Sequence, residues 1–248
     1  MAPFDIDTFN IAPIQGKDSE LQRAAELFVG SFWAAGTTTE EVGLTSSQKD
    51  ELVRLQAQDM ASRYGDLVGK RRFPSKLIVA QDAENNLAGC VGIEVALFKP
   101  DAKAILTRAQ AENMVAALFN QLDAQDRNFY RKLDLDELID ELFPAYKVCA
   151  LLANLAVAPR ARRSGLAREL CACCDDAADE WGIPFLLLQV EECNKAARSL
   201  YERVGYQEML RDESASALRI QLEPEADNLL KSVPSTLITM LKIVTPIE

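Results

Sequence analysis

Hydrophobic and polar positions along this chain fall into helical periods, strand periods and unbroken apolar runs, and their order predicts the elements. Residues 9–14 (FNIAPI) read as a first strand that Gln15-Gly16 closes, after which Asp18 or Ser19 can cap a helix. In that helix Leu21, Ala24, Ala25, Phe28 and Phe32 recur at helical spacing, so one side packs inward, until Gly36 and a threonine run break it. Ser46 and Ser47 begin a second, loosely amphipathic helical segment with Glu51, Leu52, Leu55, Met60 and Tyr64, fading at Gly65 and Gly69. Lys70, Arg71 and Arg72 then make a short basic loop, read as a solvated turn with substrate steering as the alternative.

Residues 76–81 (KLIVAQ) and 87–98 (LAGCVGIEVALF) flank a polar turn and predict an antiparallel hairpin. Gly89 and Gly92 lie within the second strand, where missing side chains mark a bulge or the close approach of another backbone. From 100 to 147 the composition turns helical and charged, a helical insertion between two sheet strands. Its acidic residues are most simply a solvated face, with protein docking as the second reading.

Residues 148–157 form an apolar run that ends at Pro159 and empties into a loop holding Arg160, Arg162 and Arg163. Residues 164–181 follow as a helix with Leu166, Leu170, Cys174, Ala177 and Trp181 on one stripe, stopped by Gly182 and Pro184. Residues 185–190 (FLLLQV) are a strand buried on both faces, so 148–190 reads strand, helix, strand with the two strands parallel. A strand feeding an arginine loop and a helix start describes an anion site. A short helix over 193–204 ends at Gly205, and two strands over 206–210 and 217–222 flank a polar turn. The main domain is therefore placed at 1–223, and 224–248 as a C-terminal tail that adds an edge strand, covers a groove or docks.

Composition narrows the chemistry. The 248 residues are 48% hydrophobic, enough for one well-packed core. A formal net charge of -11 disfavours nucleic acid as a partner, because phosphate binding needs a basic surface. Histidine is absent, which removes the commonest general base, any Ser-His or Cys-His pair and any His-containing metal site. No metal is expected. The six cysteines lack paired blocks and read as reduced, mostly buried thiols. No window reaches the about 18 apolar residues of a membrane span, and the first ten residues carry no secretory pattern, so a soluble protein is expected.

Two segments carry a family resemblance. Arg162-Arg163-Ser164-Gly165-Leu166-Ala167 fits the pattern Arg/Gln-x-x-Gly-x-Gly/Ala, and residues 194–206 (NKAARSLYERVGY) are similar to N-x-x-A-x-x-L-Y-x-x-x-G-F/Y. Both resemble the acetyl-coenzyme A site of the GNAT superfamily of N-acetyltransferases, over residues 76–222 and, in their order of elements, 4–64. The resemblance implies the α/β GNAT (acyl-CoA N-acyltransferase) fold, a mostly antiparallel central sheet with one splayed parallel pair and flanking helices. It also implies acetyl-coenzyme A as cosubstrate and transfer of acetyl to a primary amine by direct attack. Arg162, Arg163, Ser164, Gly165, Leu166, Ala167 and Arg168 would cradle the pyrophosphate; Leu155, Ala156 and Val157 would meet the pantetheine arm from one side, and Asn194, Lys195, Ala196 and Tyr201 from the other. Asn194 is equally a helix cap.

Tyr201 matches the family's tyrosine that hands a proton to the departing thiolate. Many relatives place a glutamate base on the strand before the loop, but 150–158 holds no acid. Glu94, Glu191 and Glu192 are the carboxylates left as candidates. Cys171, Cys173 and Cys174 are read as small apolar residues rather than as metal ligands or an acyl carrier. The residues 90–94 (CVGIE), the helical insertion and the overall size most resemble plastid-type members that acetylate protein N-termini and lysines, implying a protein or peptide acceptor and a plastid stroma location. A small-molecule amine acetyltransferase shares every residue above. A noncatalytic subunit, docked to a larger assembly by the insertion or the tail, is the reading from a different class.

Overall fold

The structure, a computed structural model, describes residues 9–33, 44–65, 73–221 and 229–244. The basic loop 70–72, Gly36 with its threonine run and Gly69 lie outside the described residues.

Strand β1 (Asn10–Pro13) leads to helix α1 (Asp18–Phe28), which runs on as a π-helical turn, Val29–Trp33. The cap residue is Lys17 rather than Asp18 or Ser19, because the Glu20 carboxylate reaches back to accept from the backbone N–H groups of Gln15 and Lys17. Helix α2 (Ser46–Tyr64) starts from a capping box in which Thr45 and Gln48 exchange hydrogen bonds. Strands β2 (Ser75–Gln81) and β3 (Leu87–Lys99) form the expected antiparallel hairpin.

The segment from 100 to 147 is not wholly helical. It opens with a short strand β4 (Ala104–Leu106) that turns back onto β3, and continues as α3 (Arg108–Phe119), α4 (Ala124–Tyr130) and α5 (Leu135–Leu142). Then come β5 (Lys147–Val157), a 3-10 turn at Pro159–Ala161, α6 (Leu166–Glu180), β6 (Phe185–Glu191), α7 (Lys195–Arg203), β7 (Gln207–Asp212), β8 (Ser216–Ile220), β9 (Leu230–Pro234) and β10 (Leu237–Ile243).

The main sheet runs β1-β2-β3-β5-β6-β10-β7, antiparallel at every step except β5 beside β6. Alternation in β2 sends Leu77 and Val79 to the face covered by α1 and α2, and Ile78 and Ala80 to the face covered by α3, α5 and α6. The sheet is thus sandwiched between two helical layers, each burying an apolar stripe.

One expectation for the C-terminal part needs correction. The tail does not sit at an edge: β10 lies between β6 and β7 and pairs with both. Its sequence allows this because Ile238, Thr239 and Met240 are all buried, so the strand presents suitable side chains to both faces. Strands β7 and β8 lie on either side of the polar turn as expected, and β8 leaves the sheet to pair with β9 as a separate two-stranded ribbon.

Candidate active site

Strands β5 and β6 are paired only from Ala150 to Leu152 and from Leu186 to Leu188. Beyond that point they part, and the sheet opens between 153–157 and 189–191. The opening begins at an irregularity in β5. Against β3 the register slips, with Ala153 opposite Gly92 but Ala156 opposite Cys90, so Asn154 and Leu155 together face Val91. Asn154 takes a left-handed backbone (φ 54°), a conformation that asparagine tolerates better than most side chains. Its side-chain amide donates to the Tyr64 hydroxyl at 3.4 Å, and its carbonyl accepts from Cys90 Sγ at 3.5 Å. Gly89 and Gly92 border this bulge as expected, and Gly89 also admits the Ala156 backbone carbonyl. An added Cβ would meet Leu170 at Gly89 and Tyr64 at Gly92.

At the C-terminal end of β5 the chain turns through Pro159–Ala161 and curls into α6 by way of two left-handed residues, Arg163 (φ 66°) and Gly165 (φ 92°). The curl is pinned by Ser164, whose hydroxyl donates to the Ala161 carbonyl at 2.7 Å and accepts from the Leu166 N–H at 3.3 Å. Of the first-turn N–H groups, Leu166 donates to Ser164 and Arg168 to the Gly165 carbonyl, while that of Ala167 has no protein acceptor among the described residues; Ala167 lines a cavity of about 650 Å³. Val157, Arg162, Arg163, Gly165, Leu166, Ala167 and Arg168 line it from the loop, and Ala196, Leu200, Arg203 and Val204 from α7.

The arginines do different work. Arg162 donates to the carbonyls of Val157 (3.3 Å) and Ser31 (2.9 Å), tying the loop to β5 and to the π-helical turn. Arg160 holds the Leu87 carbonyl at 3.0 Å and pairs with Asp82 at 3.1 Å, away from the cavity. Arg168 pairs with its neighbour Glu169 at 3.2 Å. Arg163 carries no protein partner among the described residues, and Arg203 joins it from α7.

A second cavity, about 460 Å³, opens on the other side of α7. Its floor is the divergent backbone, Leu151 to Leu155 and Gln189 to Glu191; Asn194, Ala197 and Tyr201 form one wall, and Phe28, Phe32 and Arg63 another. Ser216, Ala217 and Leu237 close the far end. Asn194 is also the cap of α7, accepting from the Ala197 N–H at 3.1 Å.

Tyr201 is buried, with its ring edge-on to Tyr206 at 5.8 Å between centroids. Burial pushes its hydroxyl well above the usual phenol range, so it is protonated at neutral pH. Of the candidate carboxylates only Glu191 lines the second cavity, and both its oxygens are taken. Oε1 accepts from Arg219 at 3.1 Å, and Oε2 accepts from Arg219 and, at 2.7 Å, from Ser235. Burial works to raise this carboxyl, but the Arg219 and Ser235 hydrogen bonds outweigh it and hold it below the usual range. Glu192 pairs with Arg211 at the surface. Glu94 is fully buried behind Arg63, which donates to Oε1 from Nη2 at 2.7 Å and from Nε at 3.2 Å. Burial raises the Glu94 carboxyl against the pull of Arg63, and its Oε2 has no partner among the described residues.

Of the residues singled out from sequence, eight line the first cavity (Val157, Arg162, Arg163, Gly165, Leu166, Ala167, Arg168 and Ala196) and three the second (Leu155, Asn194 and Tyr201). Ala156, Ser164 and Lys195 line neither: Ala156 is buried opposite Cys90, Ser164 shapes the loop from within and Lys195 is exposed. Leu200 and Arg203 were missed although Ala196, Leu200 and Arg203 follow helical spacing on one face of α7. Phe28, Phe32 and Arg63 lie far away in sequence, and no local signal marks them.

A mixed sheet with flanking helices, opened between its one parallel strand pair beside a glycine-turned helix start, is the GNAT fold. The chain belongs to the Acetyltransferase (GNAT) family, whose model matches residues 45–206. It is 38% identical over 73 residues to the uncharacterized N-acetyltransferase YhfO of Bacillus subtilis, a match spanning 27% of this chain and 49% of that relative. Among solved structures it resembles the ribosomal-protein-S18-alanine N-acetyltransferase of Escherichia coli, with a TM-score of 0.50 and 16% identity over 97% of this chain and 96% of that one. At that identity the likeness concerns the fold alone. It also resembles a spermidine N-acetyltransferase SpeG chimera from Vibrio cholerae and hSSAT, with a TM-score of 0.48 and 15% identity over 96% of each chain.

Proposed function

We propose that the protein is an acetyl-coenzyme A-dependent N-acetyltransferase acting on a primary amine. The observation that carries this reading is the pair of cavities on either side of α7, both bordered by β5, with the second reaching the opening between β5 and β6. Pyrophosphate suits the first cavity, which Ala167, with its first-turn N–H unpaired among the described residues, and Arg163 line at the positive end of the α6 dipole. The backbone of 155–157, released from pairing with β6, is free to hold an extended amide-bearing arm as an added strand would.

The second cavity then receives the amine. Its lone pair attacks the thioester carbonyl, the C–N bond forms and the C–S bond breaks. The thiolate that leaves takes its proton from the Tyr201 hydroxyl, which burial keeps protonated, and the proton shed by the attacking nitrogen as the amide forms restores that hydroxyl. The Leu155 backbone, at the bulge, faces the position where the carbonyl oxygen gains charge. Among the described residues no carboxylate on the cavity wall is free to take the amine's proton, so the amine enters neutral, which costs little for an amine whose pKa is about 8 to 10.

The acceptor we assign is a protein N-terminal α-amine or a lysine ε-amine. The support is the resemblance of residues 90–94 and of the insertion to plastid-type members, which also argues for the plastid stroma as its location. Incubation of the purified protein with acetyl-coenzyme A and a library of peptides, read by mass spectrometry, tests both levels. Acetylated peptides are expected. Binding of acetyl-coenzyme A without any acetylated product would favour a noncatalytic role, and products from small amines alone would remove the protein acceptor.

A further inference from the structure

Among the described residues, the charges around the second cavity cancel in pairs. Glu191 is the carboxylate on its wall, and Arg219 and Ser235 occupy both its oxygens. Arg63 is the cation on its wall, and Glu94 answers it from behind. The remaining edge of the Arg63 guanidinium, Nη1, has only Asp59 at 3.9 Å. An acceptor carrying a second ammonium would therefore find no unpaired anion among the described residues, and would face the outer edge of a guanidinium.

The same cavity has an aromatic wall. Phe28 and Phe32 stack at 5.1 Å with 23° between their planes, and Trp33 meets Phe32 edge-on at 5.3 Å. Ile105, Leu151 and Leu237 extend this apolar lining. The π-helical turn helps to present it, because Arg162 grips the Ser31 carbonyl and so fixes the turn that carries Phe32 to the loop that begins α6. A side chain of matching chemistry gains by leaving water here, and a charged one loses hydration without recompense.

We infer that the acceptor is a monoamine with an uncharged apolar or aromatic group next to the amine-bearing carbon, seated against Phe28 and Phe32, and that polyamines are rejected. This rests on the acetyltransferase reading. The chemistry is shared by a peptide whose first residue is Phe, Leu or Met and by a free arylalkylamine, and a direct assay separates these two sources.

The full chain is assayed with acetyl-coenzyme A and five acceptors, peptides led by Phe, Leu or Lys, phenylethylamine, and spermidine, with acetylated product measured by mass spectrometry. The apolar acceptors are expected to exceed spermidine and the Lys-led peptide in kcat/KM by about tenfold or more, the scale set by one buried side chain. Phe-led peptide above phenylethylamine identifies a peptide acceptor, and the reverse a small-molecule one; both support the apolar seat. Phe32→Ala should raise KM for the Phe-led peptide several-fold with KM for acetyl-coenzyme A unchanged. Arg219→Gln, which frees the Glu191 carboxylate, should raise turnover of spermidine, a gain that misfolding cannot imitate. Spermidine or the Lys-led peptide matching the apolar acceptors in the parent protein overturns the inference and leaves the acetyltransferase reading standing. Absence of product from all five overturns both.

Discussion

A Cβ atom on Gly92 would stand 2.0 Å from the hydroxyl of Tyr64, so the two residues share one volume that a side chain on β3 would deny to α2. Tyr64 uses that space to reach Asn154 and to hold the left-handed residue at which β5 leaves its register. Gly92→Ala is expected to push Tyr64 away, lowering stability by about 1–3 kcal/mol, the usual cost of overpacking a filled core. Tyr64→Phe keeps the packing and removes the hydrogen bond, so it should cost about 1 kcal/mol and lower turnover more than stability. Denaturant titration and steady-state rates of the two variants check this. A Gly92→Ala protein as stable as the parent would mean that Tyr64 has another place to go.

Tyr201→Phe removes the hydroxyl and leaves the ring against Tyr206. Turnover should fall about 100-fold or more, the range for a lost general acid, while the protein still binds acetyl-coenzyme A. The pH dependence follows from the raised pKa. The phenol is protonated below its folded-state value, which burial places above the ordinary phenol range. Ionisation of Tyr201 should therefore leave no descending limb in kcat up to about pH 9. A limb near neutrality that vanishes in Tyr201→Phe would show the hydroxyl to be acidic and overturn the proton-donor role.

Burial also decides the thiols. Cys171 is pushed up to about 12 by its burial, with Asp175 adding to the effect, and Cys90 and Cys149 also reach about 12. A thiol attacks as thiolate, so these should be inert to a thiol reagent near pH 8 in the folded protein. Cys193 is the exposed thiol, and Cys173 is partly covered. Titration of the native protein should show one fast-reacting cysteine, a slower second, and all six after denaturation. Fast reaction of four or more without denaturant would contradict the packing of α6.

The parts of this molecule that were readable from sequence are those in which local pattern and tertiary setting agree. The strand-helix-strand unit around α6 was readable because its apolar runs, its glycines and its stop at Gly182 and Pro184 all speak of the same geometry. The arginine loop was readable as an anion site, but the separate tasks of Arg160 and Arg162 were not, since their partners Leu87, Asp82 and Ser31 are remote in sequence. The acceptor wall was hidden for a related reason. Phe28 and Phe32 satisfy the helical period of an inward-packing face, and spacing alone does not say that part of that face borders an opening in the sheet. Strand β10 was misplaced because alternation reports which face is buried, whereas strand order depends on long-range pairing.

That placement of β10 has a direct consequence. Ending the chain after Pro234 would remove the ladders that β6 and β7 each make with β10 and uncover the core where Ile238 and Met240 sit. Such a truncation should yield no cooperatively folding protein, because unpaired buried backbone and exposed apolar surface together exceed a typical stability of about 5–15 kcal/mol. An edge strand or a docking tail would be dispensable. A truncated chain that melts cooperatively near the temperature of the parent would restore that view.

The arginine loop separates binding from scaffolding within two adjacent residues. Arg163 faces the first cavity without a protein partner among the described residues, whereas Arg162 spends its guanidinium on two carbonyls. Arg163→Ala should raise KM for acetyl-coenzyme A several-fold, more at low salt than at high salt, with thermal stability unchanged, because it removes a charge from an anion site and no packing. Arg162→Ala should instead lower stability by about 1–3 kcal/mol, as two carbonyls lose a charged donor, and should reduce turnover through the π-helical turn that carries Phe32. Arg162→Lys should rescue little, since a single ammonium cannot reproduce the fork that reaches Val157 and Ser31 together. Thermal melts beside acetyl-coenzyme A titrations of the three variants distinguish the roles, and equal loss of stability in Arg162→Ala and Arg163→Ala would show both residues to be scaffold.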